Sequence, residues 1–491
     1  MTAPMAGTMF SWGDTLNVVV AVTDAEDGST ADGSIDCSEV ESQPFIGHDE
    51  HAHPLDVYTG CDIQIVTPDG HGSPGDRIFL YLESRYQDGG SNAVSSAQGQ
   101  TETLLYPRSW EAEHYDEATG IELEDSADPT GGRRHLAYID HGDWVLYRDR
   151  NLAGVSHITF RVASDGSGGT ISLRESSPAG RLLGKTHVPV TGGWQSFVDV
   201  TMAVEAPNAA ETSVTPMDLA LVFENASSGG GLFNINRMLF EGSGVAGNRE
   251  EWGLRTDLYA SADWSGEAVD EIHPGVSWFW GNENPVPGAA VRPFSARWQG
   301  RLIAPISGSL RLFAQTWGTL RLDIDGSSAI EVLSEGTSPT TSSRLFRVAK
   351  GQELLLDARY SDQLGNAGLI LSWEGTGLVR QTIQMSDTRL PSASGTLRER
   401  ADDLPSGSAL LKAYPNPFQQ ALTVRASCNA GSTVESSVVD VLGRRRHLGK
   451  IPCSHHGHIV LDVNADQLTA GVYFVVVHTS THLLTLPVTK L

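Results

Sequence analysis

Ile158-Thr159-Phe160-Arg161-Val162 alternates apolar and polar side chains, the two-residue period of a strand with one face in a core and one toward solvent. The alternation recurs in Thr15 to Val22, Leu310 to Asp325 and Gly471 to Val477, and no stretch sustains the i, i+3, i+4, i+7 apolar stripe of a surface helix. The chain has 52 Gly and 23 Pro spread over 491 residues, as many short strands joined by turns require, and it is too long for one core. These features predict an all-β, multidomain protein of three or four domains.

With 34 Lys and Arg against 60 Asp and Glu, the net charge is −26, which excludes nucleic acid and anionic membrane as expected partners. Neutral glycans remain compatible. No apolar run reaches transmembrane length, and Met1-Thr2-Ala3-Pro4-Met5 has neither a basic nor an apolar leader region. The expectation is that Met1 is not the natural start, or that the chain is the C-terminal part of something longer. Residues 411–491 differ in charge, with Lys412, Arg425, Arg444, Arg445, Arg446, Lys450 and Lys490 against Glu435, Asp440, Asp462 and Asp466, about +3. The four cysteines pair by position, Cys37 with Cys61 and Cys428 with Cys453. Disulfides in an oxidising compartment fit, and two buried reduced pairs are the alternative.

Between Glu111 and Glu241 stand Glu111-Ala112-Glu113, Tyr138-Ile139-Asp140-His141-Gly142-Asp143-Trp144, Gly192-Gly193-Trp194-Gln195 and Phe233-Asn234-Ile235-Asn236. An aromatic face buries the C–H side of a pyranose while amides and carboxylates satisfy its hydroxyls, so Tyr, Trp and Asn meeting at one rim suit a carbohydrate. Trp194, flanked by glycines, is expected to be exposed, whereas Trp144 in a regular strand is expected in the core.

Residues 108–242, through Trp110-Glu111-Ala112-Glu113, Tyr138 to Tyr147, Arg161-Val162-Ala163-Ser164 and the two later motifs, resemble a family 6 carbohydrate-binding module. The resemblance implies a jelly-roll β-sandwich with its sugar cleft among loops at one end. It implies Tyr138 and Trp194 as the aromatic walls, Asn234 as the amide that bonds a sugar hydroxyl, and Glu111, Glu113 and Asn236 as ligands of a structural calcium ion. Glu111 and Glu113 are then expected on one side of a single strand.

Residues 1–105 carry Asp24-Ala25-Glu26-Asp27-Gly28, an acidic turn that is a weak calcium candidate, and Gly47-His48-Asp49-Glu50-His51-Ala52-His53-Pro54, where alternate spacing places His51 and His53 on one strand face as possible metal ligands. Together these resemble an immunoglobulin-like domain of the polycystic-kidney-disease type found after secreted sugar dehydrogenases. Residues 251–392, with seven tryptophans at 252, 264, 278, 280, 298, 317 and 373, resemble the β-barrel domain named after protective antigen. Some members of that family bind glycans through calcium held by adjacent aspartates; here Asp323 and Asp325 are separated by Ile324. The tryptophans are expected mostly in the core. Residues 393–410 read as a linker. Tyr414-Pro415-Asn416-Pro417-Phe418, Val438 to Arg444 and Leu468 to Val477 then resemble the C-terminal sorting domain of type IX secretion, across 411–491. That resemblance implies a small immunoglobulin-like sandwich, recognition by the export machinery and an extracellular destination.

The chain has no Gly-x-Ser-x-Gly elbow, His-Glu-x-x-His or phosphate-cradling loop, so no catalytic residue is assigned. The expected function is a secreted or cell-surface protein that targets itself or an attached enzyme to polysaccharide. The alternatives are the noncatalytic tail of a secreted sugar dehydrogenase or glycosidase, and a surface adhesin.

Overall fold

The computed structural model describes the chain except residues 49–50, 69–74, 91–94, 206–215, 229, 246–248, 250, 334–337, 364, 392–410, 415–417, 419–420, 428–431, 441–443, 454–457, 465–467, 470, 479–482 and 491. It is built almost wholly of strands, and among the described residues no helix is long and apolar enough to cross a membrane. Two compact units divide it, Met1–Ala393 and Ser394–Leu491. The proposed linker and Cys428 lie outside the described residues.

The first unit contains three sheet systems in chain order. In the first, Glu41–His48, Ile78–Gln87 and Gln98–Pro107 form the centre of one sheet, while Thr15–Val19 pairs with Asp62–Val66 in a separate two-stranded sheet. Val18 and Ile65 of the small sheet bury their side chains in one cluster with Leu82 of the large one. Cys37 and Cys61 are joined by a disulfide, as their spacing predicted. In the acidic turn Asp24 Oδ1 accepts from the Glu26 and Asp27 amides, and Asp27 Oδ2 accepts from Tyr86 Oη of the large sheet.

The second system is a sandwich. Its first sheet orders Glu122–Asp125, Arg134–Ala137, Asn234–Glu241, His157–Ala163 and Val198–Ala203, with Ser109–Glu111 also on Asn234–Glu241. Its second orders Glu117–Thr119, Trp144–Arg150, Met217–Glu224, Gly169–Glu175 and Leu182–Val188. Ile158, Phe160 and Val162 point into the space between the sheets against Leu173, Leu221 and Phe223, as the alternation predicts, but the opposite face, with His157, Thr159 and Arg161, is buried as well instead of meeting solvent. Trp144 is a correction: it is the first residue of the strand Trp144–Arg150 in the second sheet and is only partly buried.

In the third system, the run from Leu310 to Asp325 proves to be two strands in opposite sheets, Gly308–Thr316 and Thr319–Ile324, broken at Trp317-Gly318. Gly318 lies against Tyr360 with no room for a Cβ, so the chain can cross there between sheets. Trp252, Trp278, Trp298, Trp317 and Trp373 are buried, and Trp264 and Trp280 partly so. Asp325 occupies the left-handed hairpin turn, φ 50°, with Oδ1 accepting from the Leu355 amide, whereas Asp323 pairs with Arg321 in the strand.

These three systems share packing. Met9 and Tyr106 from the first and Phe279, Trp317 and Ile370 from the third belong to the sandwich's own core cluster. At the junction with the third, Ser277 Oγ donates to the Asp199 carbonyl (2.7 Å), and His157 packs on His273 and Trp278. Trp298 Nε1 donates to His273 Nδ1 (3.0 Å), which leaves the proton on Nε2, facing Glu271 Oε2 at 3.0 Å. Burial pushes the His157 imidazole down to about 3, with His273 adding to the effect, and burial lowers His273 too. Ser156 and the buried Glu241 border this junction, and Asp387, partly buried, accepts from the Gln384 amide; burial raises these two carboxyls to about 7 and about 6.

The signs oppose. Stability from the neutral histidines is complete above about pH 6.5 and is lost as pH falls, by about 1.4 kcal/mol per pH unit for each ring. The raised carboxyls contribute stability that is complete below pH 4.5 for Glu241 and pH 3.8 for Asp387 and is lost as pH rises toward about 7 and about 6. Acid loss should therefore be steepest below about pH 4.5, where the carboxyls no longer offset it. Urea unfolding at stepped pH checks this: His157→Phe should flatten the slope, and an unchanged slope would contradict the assignment.

The second unit pairs a three-stranded sheet, Leu411–Tyr414, Ala421–Ser427 and His458–Asn464, with a four-stranded one, Arg445–Pro452, Thr433–Asp440, Gly471–His478 and Leu483–Lys490. Leu422, Val424, Val438, Val475 and Val477 fill the core, and Phe418 is buried with them. Cys453 is buried and disulfide-bonded.

Candidate functional site

The sandwich brings the sequence-predicted aromatic residues to one end. Tyr138 follows the strand Arg134–Ala137, Asn234 begins Asn234–Glu241, and these strands pair through Leu136 and Ile235. Trp194 lies in the loop before Val198–Ala203. Tyr138 is 60% exposed and Trp194 39%, so neither ring is absorbed by the core. Tyr138 adopts φ 57°, a left-handed conformation uncommon for any residue but glycine, immediately where the strand ends. Its hydroxyl bonds to Glu124, which raises its pKa.

The Trp194 loop is held from both sides. Asn234 Nδ2 donates to the Trp194 carbonyl (2.9 Å) and toward His135 Nε2 (3.1 Å). Gln195 Oε1 accepts from the Ala127 amide (2.9 Å), and Gln195 Nε2 donates to the Asp125 carbonyl. A Cβ on Gly166 would fall 2.8 Å from the Trp194 ring, and Gly231 lies against the same ring. The Gly231 and Leu232 amides bond to Asp140 Oδ1 (2.6 Å) and the Ile139 carbonyl (2.8 Å), which fastens this loop to the Tyr138 turn. Asn234 is 3% exposed, and its amide nitrogen serves this scaffold; among the described residues no hydrogen bond reaches its Oδ1.

Glu111, Glu113 and Asn236 meet around the loop at Gly131 and Gly132, though by a different route from that expected. The strand Ser109–Glu111 stops at Glu111, and Glu113 sits in the following turn, closed by the His114 amide on the Glu111 carbonyl. The turn, rather than strand alternation, brings the carboxylates together. A Cβ on Gly132 would fall 2.9 Å from Glu111 Oε2 and 3.1 Å from Glu113 Oε1, and one on Gly131 would clash with the Asn236 amide. Burial raises the Glu111 carboxyl, and burial with the neighbouring Glu111 charge pushes Glu113 up to about 7. Glu113 Oε2 and Asn236 Oδ1 are buried acceptors with no hydrogen-bond partner. The Glu111 and Glu113 carboxylates and the Asn236 amide oxygen, in a glycine-lined recess, are hard oxygen donors that fit a calcium ion.

Sequence reading missed Asp128. Its carboxylate accepts from Arg161 Nε (2.7 Å) and Nη2 (3.1 Å) and from Asn236 Nδ2 (3.0 Å). Burial alone would raise its pKa, but the guanidinium, Asn236 and Thr130 hold it at about 2. Asp199 faces the same guanidinium at 3.4 Å. Asp128 thereby fixes the Asn236 amide with Oδ1 turned away from itself. The signal present in the sequence was a lone arginine, Arg161, on a strand whose other side chains are buried.

The model for the carbohydrate binding module (family 6) matches residues 111–242, and that for the secretion system C-terminal sorting domain matches 412–487. Endo-1,4-beta-xylanase A of Thermoclostridium stercorarium is 34% identical over 137 residues, 28% of this chain and 19% of that protein. Clotting factor G alpha subunit of Tachypleus tridentatus is 31% identical over 116 residues, 23% of this chain and 17% of that protein. This chain thus spans less than a fifth of the length of either relative. A solved β-1,3-glucan binding family 6 module from Bacillus halodurans is 39% identical, covering 27% of this chain and 94% of that one, with a TM-score of 0.24. Residues 111–242 are a family 6 carbohydrate-binding module, and residues 412–487 are the C-terminal sorting domain of type IX secretion.

Proposed function

We propose that this chain is an exported, noncatalytic carbohydrate-binding protein that fixes itself, or an enzyme to which it is joined, to a β-linked polysaccharide. The observation that carries this reading is the pair of exposed rings, Tyr138 and Trp194, at one end of the sandwich, with Asn234 bonded to the Trp194 carbonyl and to His135, three residues before Tyr138. The rings would cover the apolar faces of a pyranose, and Asn234 Oδ1 would accept from a hydroxyl. Relatives named for xylan chemistry and a solved module named for β-1,3-glucan binding point to β-linked backbones. Depletion of the full chain from solution by insoluble β-1,3-glucan, xylan, arabinoxylan and cellulose tests it. Retention by at least one is expected; retention by none would refute the proposal.

An attached enzyme is the second reading, favoured because the xylanase relative is an enzyme in which the matched segment is 19% of the length. Tethering raises the local concentration of polymer around a joined active site without adding catalytic contacts. The proposed division is an immunoglobulin-like domain at 1–105, the binding module at 108–242, a protective-antigen-type domain at 251–392, a linker and the sorting domain from 411. The export machinery that reads the last of these is the proposed second partner.

Glu111, Glu113 and Asn236 are proposed to hold calcium, which would lock the N-terminal strand of the module to Asn234–Glu241 without taking part in chemistry. Calcium at a hundredfold its Kd should stabilise the module by about 2.7 kcal/mol. Calorimetric scans before and after chelator check this: the transition should fall on chelation and return with calcium, and identical scans would contradict it.

A further inference from the structure

We propose that His48, His51 and His53 form a binding site for a divalent transition-metal ion of the zinc and copper class, distinct from the carboxylate recess of the carbohydrate-binding module. Glu41–His48 and His51–Pro54 form an antiparallel hairpin in which His48 faces His51 and Ile46 faces His53. Directly opposed residues share a face of the sheet, as do residues two apart on a strand, so all three imidazoles stand on one side. Gly47 holds the other side: it leaves no room for a Cβ because the Phe79 ring of the neighbouring strand packs there.

The three rings are in mutual contact, with centroids 3.9 Å apart for His48 and His51, 5.0 Å for His51 and His53, and 5.3 Å for His48 and His53. One ring nitrogen from each lies within 4.8 Å of the other two. His48 Nε2 and His53 Nε2 are 3.3 Å apart. Two nitrogens each about 2.0–2.1 Å from a tetrahedral zinc ion are separated by roughly 3.3 Å, so this edge already has the span a metal requires. Three imidazoles, the ligand group found among the described residues, select zinc, copper or nickel over calcium and magnesium, whose preferred donors are oxygens. His51 and His53 are exposed, so a fourth position opens to water or to an external ligand.

The test uses the full chain without a histidine tag, stripped with chelator, dialysed and titrated with zinc chloride in a calorimeter, with bound metal counted by elemental analysis. One zinc per chain is expected, undiminished by excess calcium. His51→Ala/His53→Ala should weaken zinc binding by about tenfold or more, with the thermal transition of the metal-free protein unchanged because both side chains are exposed. Copper(II) bound in place of zinc should show nitrogen hyperfine splitting in its electron paramagnetic resonance spectrum, lost in the double variant. Zinc binding equal in wild type and double variant, or no zinc bound by the wild type, would overturn the proposal.

Discussion

Tyr138→Ala/Trp194→Ala is expected to weaken binding of the preferred oligosaccharide by about 3 kcal/mol, roughly 100-fold or more, while leaving the folded state intact. The magnitude follows from what the rings do. Both rings reach solvent, Tyr138 60% and Trp194 39% exposed, and neither belongs to the buried core, so removing them costs the free protein less than it costs a bound sugar, which loses its apolar platform on both sides. Trp194→Ala alone should cost about 1 to 2 kcal/mol, since Tyr138 would still cover one face. Isothermal titration with the oligosaccharide measures both. The stability of the double variant separates a lost platform from a lost fold, because the Trp194 loop is held by its backbone carbonyl and by Gln195 rather than by the indole. Unchanged affinity in a folded double variant would remove the cleft assignment.

Asp128→Ala should destabilise the first unit by about 3 to 5 kcal/mol, because it removes the two short bonds to the buried Arg161 guanidinium and leaves it, among the described residues, with Asp199 at 3.4 Å as its carboxylate partner. The substitution also frees the Asn236 amide, whose orientation depends on Asp128. Calcium affinity should therefore drop by about tenfold or more, although Asp128 is not among the proposed ligands. Urea unfolding and calcium titration read the two effects separately. A variant within about 0.5 kcal/mol of wild type would show that the Arg161 pair contributes little.

The strands were legible because alternation is written into single segments: His157–Ala163 and Gly471–His478 fall where Ile158 to Val162 and Gly471 to Val477 predict them. Tyr138, Trp194, Glu111, Glu113 and Asn236 could be named from local motifs. How they come together could not, since Glu113 reaches the recess through a turn and Asn234 spends its nitrogen on a loop 40 residues away. Asp128 escaped notice for the same reason, its partners being 33 and 108 residues distant. Leu310 to Asp325 read as one run because a change of sheet at Trp317-Gly318 leaves the alternation undisturbed on either side. The shared core between sheet systems was equally hidden: Phe279, Trp317 and Ile370 look like core residues of their own sandwich, and the neighbouring module is what covers them.

The most direct measurement of the central claim is a crystal structure of this chain soaked with the oligosaccharide that it retains. The account expects a pyranose ring against Tyr138 and Trp194, with a hydroxyl within hydrogen-bond reach of Asn234 Oδ1. A sugar bound elsewhere on the sandwich, with those two rings in water, would contradict it.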